Sequence, residues 1–262
     1  MIFLKLGGSL ITDKSRPEVC RQEVLQRLAA EISSARTQRP EIKLLVGHGS
    51  GSFGHVVAAR HGTHKGASTP EDWRGFAEVW RVANRLNRLV VDALIGEGLP
   101  AVSFPPSASA VAAGGEVEQL AWEPVAMALA RGLLPVVAGD VAFDRVRGST
   151  ILSTERVFSH LALQLRPSLL LLAGVEPGVI RGYPAGREVM TVVTARDLED
   201  AGIGGATATD VTGGMADKVR HGLNLARSVP GLTVRIFSGL IPGEVERALL
   251  GEAVGTQIID NP

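Results

Sequence analysis

The sequence predicts an α/β fold, a three-layer αβα sandwich around a largely parallel open sheet. Three observations carry that prediction. Short β-type runs alternate with stretches of helical period along the 262 residues. Glycine-rich turns close several of the runs, as ligand-binding connections at the edge of a parallel sheet do. Hydrophobic residues make up 45% of the chain, enough to bury a full core as one large domain or two closely joined lobes.

Strands are predicted near 2–6, 42–47, 100–104, 133–138, 168–173 and 233–237. Between the first two, Val24, Leu25, Leu28, Ala29 and Ile32 recur at helical spacing and form one apolar face. A long helix of about 25 residues is predicted from Glu71 to Glu97, with Trp73, Phe76, Ala77, Trp80 and Ala83 along one stripe. Residues 105–120 are rich in Pro, Ser, Ala and Gly and read as loop or hairpin, after which Glu123 to Arg131 resumes a short helix. Ser168 to Gly174 is an almost unbroken aliphatic run, the pattern of a strand buried on both faces, and Gly and Pro crowd the loop from Val175 to Gly186. Residues 202–214 hold too many glycines for a helix; Met215, Val219, Leu223 and Ala226 then restore helical spacing. The change of texture places a lobe boundary near residue 165, giving lobes 1–165 and 166–262 of one compact unit.

Composition excludes several functions. Basic and acidic residues balance at 27 each, so no global field recruits nucleic acid or an anionic membrane. No window approaches 18 uninterrupted apolar residues, so no membrane span is expected. The single cysteine, Cys20, cannot form an internal disulfide and suits a reducing compartment, and the first apolar run is too short for a signal peptide; a cytoplasmic location is expected. His48, His61 and His64 lack metal-ligand spacing with a cysteine or carboxylate, so no protein metal site is expected.

The chemistry lies in three turns. Gly47 to His55 reads GHGSGSFGH, with four glycines and two serines that let successive N–H groups converge on an anion without side chains in the way. Lys5-Leu6-Gly7-Gly8-Ser9 closes the first strand, and Asp210-Val211-Thr212-Gly213-Gly214 precedes the helical pattern carrying Lys218. Two phosphates brought together repel: unit charges about 4 Å apart cost roughly 4 kcal/mol at an effective dielectric of 20. Backbone dipoles alone do not offset several such pairs, so fixed cations are required, and Lys5, Lys14 and Lys218 are the candidates. His55, at the end of the cradle, can donate a hydrogen bond to a phosphate oxygen. Each of these residues alone reads equally well as an ordinary solvent-facing or packed side chain. Their coincidence with three glycine turns favours a phosphoryl-transfer site.

KLGGS at 5–9, Thr12-Asp13-Lys14, GSFGH ending at His55, Gly139-Asp140-Val141, Ser153-Thr154-Glu155 and DVTGGM with Lys218 together resemble isopentenyl phosphate kinases of the amino acid kinase superfamily. The resemblance spans nearly the whole chain. Its first and last motifs are common to the superfamily, whereas the histidine of GSFGH is shared chiefly with isopentenyl phosphate and fosfomycin kinases.

The resemblance implies an amino acid kinase-like fold, ATP with Mg2+ as cofactors, isopentenyl phosphate as the small-molecule substrate, and a homodimer. It implies that Lys5, Gly7, Gly8, Ser9 and Gly51 meet the ATP phosphates, and that Gly174, Gly178, Gly213 and Lys218 border the nucleotide. Lys14 and Lys218 would neutralise the transferring group, and Glu155 would orient the lysines. Ser50, Gly54, His55 and Ser153 would hold the substrate phosphate, with Phe76 and Val79 along its apolar tail. Two departures stand out: Ser50 replaces a glycine usual in relatives, and Ala173-Gly174-Val175-Glu176-Pro177-Gly178 replaces an aspartate-containing turn. A fosfomycin-type or other small-phosphonate kinase and a non-catalytic nucleotide-binding sensor are the alternative readings.

Overall fold

The computed structural model describes residues 1–183, 185–199 and 214–260. In chain order the first half comprises β1 (Ile2–Leu6), α1 (Gly8–Ile11), α2 (Gln22–Gln38), β2 (Leu44–His48), α3 (Gly51–His61), α4 (Pro70–Gly96), β3 (Ala101–Ser103), α5 (Pro106–Ser109), β4 (Ala110–Ala113), β5 (Glu116–Leu120) and α6 (Glu123–Ala130). It continues with β6 (Leu134–Ala138), β7 (Asp140–Asp144), β8 (Gly148–Leu152), α7 (Thr154–Leu165), β9 (Leu169–Gly174), β10 (Val192–Val193), α8 (Ala195–Glu199), α9 (Gly214–Ser228), β11 (Thr233–Ser238), α10 (Glu244–Leu250) and β12 (Thr256–Ile258). All six predicted strands are present and share one eight-stranded sheet, ordered β10-β12-β11-β9-β1-β2-β6-β3. Every pairing in it is parallel except that of β11 with β12.

Strand alternation sorts the core into two layers. Ile2, Leu4 and Leu6 of β1, with Leu44 and Val46 of β2, face α2, α3, α4 and α10. Phe3 and Leu45 face the opposite way, toward α6, α7 and α9. Helices therefore cover both faces of the sheet, the three layers read from the sequence. The proposed boundary near residue 165 falls at the end of α7, but β9 then pairs with β1 in register Ile2↔Leu169, so one sheet runs through both halves of the chain.

Two features differ from the sequence reading. A second sheet, ordered β5-β4-β7-β8, lies outside the main one. The hairpin within 105–120 forms its β4–β5 part, but Asp140 to Leu152 gave no strand signal, because its buried positions include Asp140, Asp144, Ser149 and Thr150 as well as aliphatics. The long helix exists as α4, begun by a capping box between Thr69 and Asp72, but its buried face is rotated. Gly75, Val79, Val82, Ala83, Leu86, Val90 and Leu94 pack inward, whereas Ala77 and Trp80 are exposed. Trp73 and Phe76 instead stack on Phe143 of β7, at ring-centroid distances of 5.9 and 5.3 Å. The large aromatics drew the stripe in the sequence, yet it is the smaller residues that allow α4 to lie close to its neighbours.

Candidate active site

The sheet order places β1 between β2 and β9, and their C-terminal ends bring two of the glycine turns into backbone contact. Gly7 N–H donates to Ala173 O (2.8 Å) and Gly49 N–H to Leu6 O (3.1 Å), which locks the turns to the neighbouring strands. A Cβ on Gly8 would sit 2.6 Å from Gly51 N, so nothing larger than glycine fits where the turns meet. Gly51 has φ +50°, and a Cβ there would overlap the Thr12 hydroxyl and lie 2.7 Å from Gly8 O. That hydroxyl donates to Gly8 O (2.7 Å) and accepts from Ser52 N–H (3.0 Å), fastening α1 to α3. Among the described residues, the N–H groups of Gly8, Ser9, Ser50 and Gly51 donate to no protein acceptor; they form two helix N-termini side by side. Ser50 adopts φ −75°, ψ −15°, an ordinary right-handed conformation, so the departure from glycine leaves the cradle's shape intact.

Lys5 lies on the same face of β1 as Phe3, and α7 covers that face. Phe158 of α7 packs on Phe3 with ring centroids 5.1 Å apart; Glu155, one turn earlier on the same helix, reaches Lys5. Lys5 Nζ donates to Glu155 Oε1 at 2.6 Å. Burial alone would raise the Glu155 carboxyl, but the charge and hydrogen bond of Lys5 hold it at about 2, so it is ionised wherever the protein functions. The orienting role expected of Glu155 thus has a direct geometric counterpart in its pairing with Lys5.

The other predicted residues are placed as follows. Lys14 is exposed on the turn between Thr12 and Cys20, which pair as an isolated bridge. Asp13 anchors that turn by accepting from Ser15 N–H (2.9 Å) and Arg16 Nε (3.0 Å); these bonds, with Ser15 dominant, hold its carboxyl at about 2. His55 is exposed in the second turn of α3, and Gly54 beside it is buried with the Ser50 side chain above it: a Cβ on Gly54 would meet Ser50 Oγ at 2.5 Å. Lys218 lies in the first turns of α9, three residues before His221, whose Nε2 contacts Glu155 O (3.2 Å) and Ser159 Oγ (2.9 Å). That contact docks the Lys218 face of α9 beside Glu155.

Gly174 ends β9 next to Gly7. Gly178 is set among packed side chains, where a Cβ would lie 2.5 Å from Thr256 Oγ1 and 2.8 Å from Val189, so its glycine identity has a packing reason. Gly213 lies outside the described residues. Ser153 caps α7, its Oγ accepting from Arg156 N–H (3.3 Å), and a serine hydroxyl in that role still has its hydrogen to donate. Val79 is buried in the core, and Phe76 is half-buried in the aromatic cluster with Trp73 and Phe143.

Three polar residues to which the sequence attached no role shape the site. Thr12 is one. His48, fully buried at the end of β2, contacts Asn87 of α4, and its carbonyl accepts from Thr154 Oγ1 (2.6 Å). Asp140 lines a narrow crevice with Ala83, Asn84, Asn87, Pro105 and Gly139; burial pushes its carboxyl upward against hydrogen bonds from Ser107, Val141 and Asn84. The motif Gly139-Asp140-Val141 marks Asp140 in the sequence, but its contacts come from elements far apart in the chain. Among the described residues, no three His, Cys, Asp or Glu side chains group as metal ligands, and no helix is long and apolar enough to cross a membrane.

Comparison with known proteins agrees with this fold. The model of the amino acid kinase family matches residues 1–238. The chain is 38% identical to an isopentenyl phosphate kinase of Methanothermobacter thermautotrophicus and 32% identical to one of Methanocaldococcus jannaschii, with 98% of each chain covered in both cases. A solved isopentenyl phosphate kinase structure superposes with a TM-score of 0.84 at 34% identity, covering 98% of this chain and 99% of its own.

Proposed function

The chain belongs to the amino acid kinase family, and from that premise we propose that it transfers the γ-phosphoryl group of ATP to isopentenyl phosphate, forming isopentenyl diphosphate. One observation carries the reading. Two glycine turns at adjacent strand ends present N–H groups that, among the described residues, have no protein acceptor, beside the partly buried Lys5–Glu155 pair, an arrangement suited to a polyphosphate.

Lys5 and the N–H groups of Gly8 and Ser9 would hold the nucleotide phosphates, with Gly51 beneath them and Gly174 at the border. Lys14 and Lys218 would neutralise the transferring group, while His55 with Ser50 would hold the acceptor phosphate. The residues suit ATP, since the cradle supplies donors without side-chain bulk. Magnesium would be carried on the nucleotide's own phosphate oxygens, where it neutralises developing charge. No side chain has to act as a strong base, because the attacking oxygen belongs to an acceptor that is already anionic. Residues 1–165 would then bind the acceptor and form part of the phosphate cradle, and residues 166–262 would bind the rest of the nucleotide. A five-carbon tail beside Phe76 would gain about 0.8 kcal/mol per buried methylene; Val79, buried in the core, would support that wall from behind.

A panel of acceptors tests the assignment: isopentenyl phosphate, dimethylallyl phosphate, fosfomycin, carbamate and acetylglutamate, each scored for ADP release with ATP and Mg2+. Isopentenyl phosphate should give the highest kcat/KM. Turnover of fosfomycin with none of isopentenyl phosphate would move the assignment to the phosphonate kinases, and release with no acceptor in the panel would remove it.

A further inference from the structure

His48 ends β2 one residue before the cradle glycine Gly49 and is fully buried. Its two ring nitrogens face two oxygens: Nδ1 lies 3.2 Å from Gly49 O, and Nε2 lies 3.1 Å from Asn87 Oδ1. A neutral imidazole has one N–H and can donate to only one of them; an imidazolium could donate to both. The surroundings oppose the cation. Lys5 on the adjacent strand brings a positive charge, and Glu155 is already committed to Lys5. Asp140 lines the same crevice as Asn87, its oxygens accepting from Val141 N–H (2.9 Å) and Ser107 N–H (3.3 Å). Burial, first, and then the Lys5 charge push the imidazole toward its neutral form despite the hydrogen bonds that favour the charged one.

One of the two facing oxygens must therefore give way. The Gly49 carbonyl is fixed in the backbone, but the Asn87 amide can turn by 180° and exchange its oxygen and nitrogen without changing shape. Its other partner, Ser103 Oγ at 2.6 Å, can donate as readily as accept. We propose that His48 is a positioning residue of the phosphate cradle: a neutral imidazole, protonated on Nδ1, that donates to Gly49 O and accepts from the Asn87 amide at Nε2, with Ser103 donating to the Asn87 oxygen.

The mechanical consequence lies in the next peptide. In a trans peptide C=O and N–H point in opposite directions, so holding Gly49 O against the imidazole aims Ser50 N–H away from it, toward the space the cradle encloses. The His48 carbonyl also accepts from Thr154 Oγ1 and Gly139 N–H (3.1 Å), which ties the cradle to the start of α7, where Glu155 sits. The chain Ser103–Asn87–His48–Gly49 thus links β3 and α4 to the orientation of one phosphate-facing N–H. What the cradle binds rests on the function proposed above; the state of the imidazole does not.

Two measurements on the full chain test this. Nitrogen-15 NMR of histidine-labelled protein should show one imidazole, identified by its loss in His48→Asn, with Nδ1 protonated and Nε2 bare, unchanged from about pH 6 to 8. A proton on Nε2, or on both nitrogens, overturns the proposal. In activity, His48→Asn places an amide N–H where Nδ1 stood, whereas His48→Leu fills the volume with no donor. With whichever acceptor the wild type uses, the Leu variant should lose about 10- to 100-fold in kcat/KM relative to the Asn variant. A purely structural role predicts that Leu performs as well as Asn or better, and that result overturns the proposal. If the Leu variant does not fold, the tautomer measurement decides alone, and it stands even if the wild type uses none of the panel acceptors.

Discussion

Replacing Glu155 by Gln keeps the shape of the side chain and removes its charge, leaving Lys5, a residue only 9% exposed, with an amide in place of a carboxylate 2.6 Å from its ammonium. A Glu carboxyl held at about 2 rather than its usual 4.5 has its charged form favoured by about 3 kcal/mol. Stripping one partner from a buried pair costs about 3–5 kcal/mol, and the 24% exposure of the Glu155 side chain admits enough water to favour the lower end. In a chain of this size about 3 kcal/mol lowers Tm by roughly 6–12 °C. The sign with pH follows from the depressed carboxyl: the stabilisation is complete above about pH 4.5 and is lost as pH falls toward about 2. Thermal melts of wild type and Glu155→Gln should therefore differ most near neutrality and converge in acid. Saturating ATP should narrow the gap at neutral pH, because nucleotide phosphates would supply the anion that Lys5 has lost. Turnover should fall by at least about tenfold, since Lys5 is no longer held in place. Melts that agree within about 1 °C at pH 7, or a gap that persists unchanged in acid, would refute the reasoning.

Gly51→Ala should abolish ATP binding measured by calorimetry and lower stability by about 2 kcal/mol or more, because the added Cβ meets Thr12 and Gly8 O at a left-handed backbone position. Wild-type ATP affinity in that variant would mean that the two turns do not form the nucleotide cradle. His55→Ala should raise KM for isopentenyl phosphate far more than KM for ATP, and equal losses would contradict its assignment to the acceptor. Lys14→Ala and Lys218→Ala should each reduce kcat by about 100-fold or more with melting temperatures near wild type, as expected for cations that act on the transferring group; near-normal turnover in either variant removes that lysine from the mechanism.

Much of this was legible in the residues. The alternation of short aliphatic runs with helical periods specified six parallel strands, and glycine density at Gly7–Gly8 and Gly47–Gly51 marked the strand ends where two turns come into backbone contact, since such an approach demands small residues wherever it occurs. What stayed hidden was relational. The segment from Asp140 to Leu152 carries buried polar residues whose partners lie in other elements, so its two strands had no local signature. The aromatic stripe of α4 was out of phase because Trp73, Phe76 and Phe143 satisfy one another at the rim, leaving Val79, Val82 and Leu86 to meet the core. Gly178 looked like a ligand glycine and has a packing reason, which no pattern within its own loop discloses.

By itself the sequence determined the chemical kind of this protein: glycine turns at strand ends, with lysines and one histidine spaced among them, are local properties fixed by backbone freedom and charge. The tertiary structure decided which of those groups meet. Glu155 reaches Lys5 across 150 positions only because parallel pairing and strand alternation put Lys5 on the face that α7 covers. Thr12 joins two turns, and His48 faces Asn87, for the same reason: a side chain's partner is set by the register and packing of distant elements, which no short stretch of chain encodes.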